Sequence, residues 1–134
     1  MPGYQKYKEQ SIYSMSNLEL LLLLYDEAIS RLSKAEIALG DKDYAIFEDC
    51  LRRTTRIVRY LIDILDMRQP LAQNLWDIYT YLIYDVSLIK SGRERRKDEI
   101  GRISHILSEL RDAFEQAGRK VSDSHYVQRK SVQG

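Results

Sequence analysis

The chain has 134 residues, 44% hydrophobic and 31% charged, with 21 Lys and Arg against 20 Asp and Glu. That length supports one hydrophobic core rather than two, and a net charge of +1 gives no global attraction to nucleic acid, membrane or acidic substrates. The single cysteine, Cys50, excludes an internal disulfide and fits a reducing compartment.

No secretory leader pattern precedes the first periodic segment, and its leucine run is too short to span a bilayer. The expected location is the cytoplasm, with no membrane insertion. No alternating strand pattern, internal repeat or low-complexity tract occurs. The fold class expected is all-α.

Residues 1–15 form a short arm with Tyr4, Tyr7, Ile12 and Tyr13 among polar neighbours, too few to hold a core. Helix one is predicted from Ser16, where Ser16-x-x-Glu19 reads as a capping box, to about Leu39, with Gly40 as its C-cap. At about 100° per residue, Leu18, Leu21, Leu22, Tyr25, Ile29 and Leu32 share one stripe. Leu20, Leu23 and Leu24 point roughly the opposite way. One core covers only the first set, so the second needs another partner. That partner is the chain's own arm, a second protein, or each in turn.

Helix two is predicted from Asp43, whose carboxylate can accept from orphan amides. It turns Phe47, Cys50, Leu51, Thr54, Val58, Leu61 and Leu65 inward and Arg52, Arg53, Arg56, Arg59 and Asp63 outward. Pro70 suits the first turn of helix three, whose stripe is Leu71, Leu75, Ile78, Leu82, Val86 and Ile89, ending before Gly92. Helix four follows a charged link and carries Ile100, Ile103, Leu107, Leu110, Phe114 and Ala117, with Gly118 marking its end. Residues 119–134 are mainly polar and expected to be a flexible tail. Four rods of roughly 20–25 residues joined by short links pack most simply as an antiparallel up-down-up-down four-helix bundle over residues 16–118.

The residues offer no support for catalysis, a cofactor or a metal. Glu-x-x-His pairs of a di-metal bundle are missing, as are a phosphate loop and a nucleophile elbow. His105 projects opposite the helix-four stripe, and His125 lies in the tail. Cys50 sits on a core stripe, as an inert thiol would. The basic cluster Lys90, Arg93, Arg95, Arg96 and Lys97 reads as a solvated link, with an RNA contact as the alternative. No aromatic interleaving supports that contact.

Tyrosine is over-used, with ten copies. In helix three, Trp76, Tyr79 and Ile83 flank the stripe on one side, while Tyr81 and Tyr84 project elsewhere. Such rings either seal the edges of a bundle or contact a partner, because they join apolar area to a polar handle.

In order and spacing, several motifs together resemble the flagellar secretion chaperones, the FliS family. They are Tyr4-x-x-Tyr7 followed by Ile12, the Ser16-x-x-Glu19-Leu20 helix start, and Leu24-Tyr25-Asp26. To these add Leu65-Asp66, then Asn74-Leu75-x-x-Ile78-Tyr79-x-Tyr81-Leu82, and Leu110-Arg111-Asp112-Ala113-Phe114. Asn17 stands where the family often has proline and Phe114 where tryptophan is usual. Lys90-Ser91 stands near a common alanine-asparagine pair.

The resemblance implies a helical bundle that binds the disordered C-terminal segment of flagellin, blocks its premature polymerisation and delivers it to the flagellar type III export apparatus. It carries a binding role to Tyr4, Tyr7 and Ile12 of the arm, to Leu24 and Tyr25, and to Tyr79 and Tyr81. The wheel turns Tyr25 inward, as support. The full set of expected partner contacts is Tyr4, Tyr7, Ile12, Leu20, Leu23, Leu24, Trp76, Tyr79, Tyr81, Ile83 and Tyr84. No nucleic acid is expected, and the chain is read as a monomer or weak dimer. The rivals are a helical adaptor whose leucine face serves dimerisation, and an RNA-binding regulator that uses residues 90–97.

Overall fold

The computed structural model describes residues 17–133, with side chains as far as Arg119. Ser16 and the arm residues Tyr4, Tyr7 and Ile12 lie outside the described residues, as do the tail's side chains beyond Arg119. Among the described residues four helices follow one another: α1 (Asn17–Gly40), α2 (Tyr44–Asp63), α3 (Ala72–Gly92) and α4 (Asp98–Gln133), with a 3₁₀ turn (Arg93–Arg96) before the last. α1 packs along both α2 and α4, while α3 packs on α2 and closes more sparsely on α4. The short links make neighbours antiparallel, so the architecture is the expected all-α bundle.

The core is the inward stripe of each rod. Tyr25, Ala28, Leu32, Ala35 and Leu39 of α1 meet Phe47, Cys50, Leu51, Val58 and Leu61 of α2. Tyr79, Leu82, Val86 and Ile89 of α3 and Ile100, Ile103 and Leu107 of α4 complete it. Spacings of three and four bring these side chains onto one face of each helix. Each large one contributes about 1.5–3 kcal/mol on burial. Thr54 is buried among them, and its hydroxyl donates to the Cys50 carbonyl oxygen at 2.9 Å, which satisfies it inside the core.

Asp43 caps α2 as its position predicts, its side chain accepting from the Ile46 amide at 3.2 Å. Two ion pairs cross between rods. Arg111 of α4 reaches Asp26 of α1 at 2.6 Å, and Arg102 of α4 reaches Asp85 of α3 at 2.7 Å. Asp85 is buried, so the pair at Arg102 satisfies a carboxylate that water does not reach.

Five boundaries differ from the sequence reading. α2 ends at Asp63, so Leu65 lies in the link after it rather than on its stripe. Gly40 is the last residue of α1, and the left-handed conformation falls on Lys42, with φ 58°. There the Asp43 amide donates to the Ala38 carbonyl at 2.8 Å and closes the turn. α3 starts at Ala72, so Pro70 precedes the helix, and Leu71 is its N-cap, 67% exposed. Ala72 occupies the buried place instead. Gly92 belongs to α3 as its final residue.

Gly118 does not end α4, which continues to Gln133. A Cβ at Gly118 would clash with the Leu18 side chain. The glycine therefore permits close approach of α1 and α4 rather than a turn.

Candidate functional site

Apolar periodicity fixes which way a side chain points, not how deeply the bundle covers it. At the end where α1 begins and α2 stops, the stripes diverge and leave a cavity of about 540 Å³. Leu21, Leu61, Ile64, Leu65, Leu71, Leu75, Ile78, Leu110 and Phe114 line it, with Tyr79 among them. Leu75, Ile78, Leu110 and Phe114 were expected in the interior and are half-buried, and Ala117 is exposed. Asp66, Gln69 and Asn74 supply polar groups. The Arg68 guanidinium and amide both donate to Asp66, which holds its carboxyl below the ordinary range and keeps it ionised in a pair with Arg68 beside the groove.

Tyr79 departs from the expectation of a surface contact. It is 1% exposed, because it falls on the inward stripe with Leu75, Leu82 and Val86 rather than beside it. Its hydroxyl hydrogen-bonds to that of Tyr25, whose ring stacks on Phe114 with centroids 5.9 Å apart. Burial raises both hydroxyls above the usual tyrosine range, so the pair is neutral and structural at ordinary pH. Tyr25 is fully buried, the supporting position the wheel gives it.

A second groove, of about 410 Å³, runs between α1 and α2. Leu20, Leu23 and Leu24 line it together, all half-buried. Ile57 and Tyr60 of α2 form the facing wall, and Glu27, Arg31, Arg53 and Arg56 supply its charged part. Leu24 packs against the core cluster, which corrects its assignment to the face opposite the core, while Leu20 and Leu23 are not among the residues packed on it; all three are neither sunk in the interior nor spread on open surface. Sequence reasoning missed Ile57 and Tyr60: Tyr60 lies off the inward stripe of α2, which is the signal that marks it, whereas Ile57 borders that stripe and also packs against the core.

Of the α3 residues expected as contacts, only Tyr79 joins these grooves. Trp76, Tyr81 and Tyr84 are 41%, 44% and 62% exposed. Ile83 is half-buried and lines a separate groove between α2 and α3. Tyr81 lies one turn before Asp85, which pairs with Arg102 of α4, and so sits on the opposite flank of α3 from Ile83.

The basic cluster is partly occupied in closing the link. Arg93, at φ 54°, lies 4.0 Å over the Tyr44 ring and 3.6 Å from Glu48. Arg96 pairs with Glu99 at 3.0 Å. Cys50 is buried, and His105 pairs with Glu109 on the surface. Among the described residues, no group of three or more His, Cys, Asp and Glu is placed to hold a metal ion, and no helix is long and apolar enough to cross a membrane. What the arrangement offers is apolar area in grooves, suited to holding a segment of another chain.

Comparison with protein families matches residues 1–121 to the family described as flagellar protein FliS. The chain belongs to the FliS family. FliS proteins are chaperones of flagellar export, a family of binding proteins rather than enzymes. The FliS match takes in the arm, α1 to α3 and α4 through Val121, and so covers both apolar grooves. A search of curated proteins found no match.

Proposed function

We propose that this FliS-family chain is a cytoplasmic chaperone that holds the disordered C-terminal segment of flagellin. In this role it blocks premature polymerisation and presents the subunit to the flagellar type III export apparatus. The observation that carries the reading is the α1–α2 groove, where Leu20, Leu23 and Leu24 gather against Ile57 and Tyr60. A bundle whose core is already complete keeps this apolar strip in a groove, and a disordered segment of matching polarity fits there. Ordering such a segment costs about 2–5 kcal/mol or more, which only an extended apolar contact offsets.

The end groove adds a second stretch of that contact. Trp76, Tyr81, Ile83 and Tyr84 of α3 are further contacts along the path of a wrapping client. Tyr4, Tyr7 and Ile12 belong to an arm that can compete with the client for the leucine groove, acting as a displaceable lid. Tyr79 supports the floor of the end groove from within.

Mixing the purified chain with monomeric flagellin under polymerising conditions tests the proposal. The expected result is a soluble complex that elutes as one species and no filaments. Flagellin that polymerises at its usual rate in a molar excess of the chain would contradict it.

A further inference from the structure

Most arginines with described side chains pair with an acid, and the exceptions are Arg56, Arg59 and Arg95. Arg31 has Glu27, Arg53 has Asp49, Arg96 has Glu99 and Arg111 has Glu115. The α2–α3 groove breaks that pattern. Its cavity of about 340 Å³ has Leu51, Ile83 and Val86 in its lining, with Arg52, Arg56, Arg59 and Lys90 beside them. Arg52 shares Asp49 with Arg53, at 3.7 Å. Arg56, Arg59 and Lys90 have no carboxylate at ion-pair distance among the described residues.

We propose that this groove is a second docking surface, which takes an acidic amphipathic helix of a partner protein. Arg52, Arg56 and Arg59 recur at the spacing of one helical face, roughly a turn apart. They run beside the half-buried Ile83, which lies over the buried Leu51 and Val86, with Lys90 contributed from α3. A ligand complementary to that layout carries an apolar stripe flanked by carboxylates every three or four residues, which is the pattern of an amphipathic helix. The lining holds no aromatic ring on which a nucleobase would stack, so the layout favours protein over RNA. Arg56 also lines the leucine groove and Ile83 is a client contact in the flagellin reading, whereas Arg59 and Lys90 line this groove and neither of the two client grooves, so these two residues separate the inference from that reading.

The test is fluorescence anisotropy with a labelled synthetic 18-residue helix bearing leucines on one stripe and glutamates along its flank. Its controls are a scrambled peptide of identical composition and an oligouridine RNA. Saturable binding of the patterned helix is expected, at least about tenfold weaker for Arg59→Glu combined with Lys90→Glu. The neutral pair Arg59→Gln and Lys90→Gln falls between, and guards against a folding defect in the reversed variant. Affinity for the flagellin C-terminal peptide stays unchanged in both. The proposal is overturned by equal binding of the scrambled peptide, by no binding of the patterned one, or by tighter binding of the RNA that the reversal abolishes. Loss of flagellin peptide binding in the neutral pair overturns it as well, by making the groove part of the client site.

Discussion

The hydroxyl of Tyr25 on α1 hydrogen-bonds to that of Tyr79 on α3, joining two helices that otherwise meet through their neighbours. Both residues are buried, and Tyr79 borders the end groove while Tyr25 stacks on Phe114, another of its lining residues. The pair therefore fixes the depth of that groove from below.

Removing one hydroxyl leaves the other buried without its partner, at a cost of about 1–3 kcal/mol. Tyr79→Phe is expected to lower stability by that amount in urea unfolding. Tyr25→Phe with Tyr79→Phe should lose less than the sum of the single changes, since no orphan remains. Additive losses would show that the two hydroxyls are not coupled.

The same pair predicts alkaline behaviour. Burial raises both hydroxyls above the ordinary tyrosine value of 10.0 in the folded state. The folded chain thus holds these protons more tightly than the unfolded chain. Their stabilising contribution is full below pH 10 and declines as the pH rises beyond it. Urea midpoints measured from pH 7 to 11 should hold steady to about pH 9 and then fall, and the doubly substituted Phe variant should fall less.

Gly118 tests how closely α1 and α4 approach. Alanine is favoured over glycine in a helix by about 0.8–1.0 kcal/mol, but here its Cβ would meet Leu18. Gly118→Ala should gain little or lose stability in the native background. In a Leu18→Ala background the same change should recover the helical gain of about 0.8–1.0 kcal/mol. Equal effects in the two backgrounds, read from thermal unfolding, would remove the contact from the account.

Arg102 and Arg53 are both about half exposed, yet their partners differ: Asp85 is buried and Asp49 is not. An exposed pair contributes little, whereas a buried carboxylate stripped of its cation is costly. Arg102→Met should therefore lower the melting temperature more than Arg53→Met. The reverse order in paired melting curves would contradict the burial argument.

How much of this was legible in the sequence depends on the kind of information each residue carries. Stripes such as Phe47-Cys50-Leu51-Thr54-Val58-Leu61 and the Asp43 cap are local, and both stand where periodicity and capping chemistry place them. Leu71 was read as the first inward residue of helix three because an apolar side chain just before a helix extends its pattern. Only the turn itself shows that Ala72 takes that place. Gly118 looked like a stop because glycine coincides with the loss of periodicity, while its actual constraint is Leu18, a hundred residues away in sequence. The second leucine face of α1 was legible as a surplus. Its facing wall, Ile57 and Tyr60, was not, because pairing across helices depends on packing that no single helix encodes.

The central claim is that Leu20 and Leu23 serve a partner rather than the core. The most direct measurement is calorimetric titration of the flagellin C-terminal peptide into the native chain and into Leu20→Asp with Leu23→Asp. Neither side chain belongs to the buried cluster, so the variant should keep its helical circular dichroism. The account predicts saturable binding to the native chain and at least about a tenfold loss in the variant, since each leucine withdrawn from a partner forfeits about 1.5–3 kcal/mol. Undiminished binding by a folded variant would contradict it.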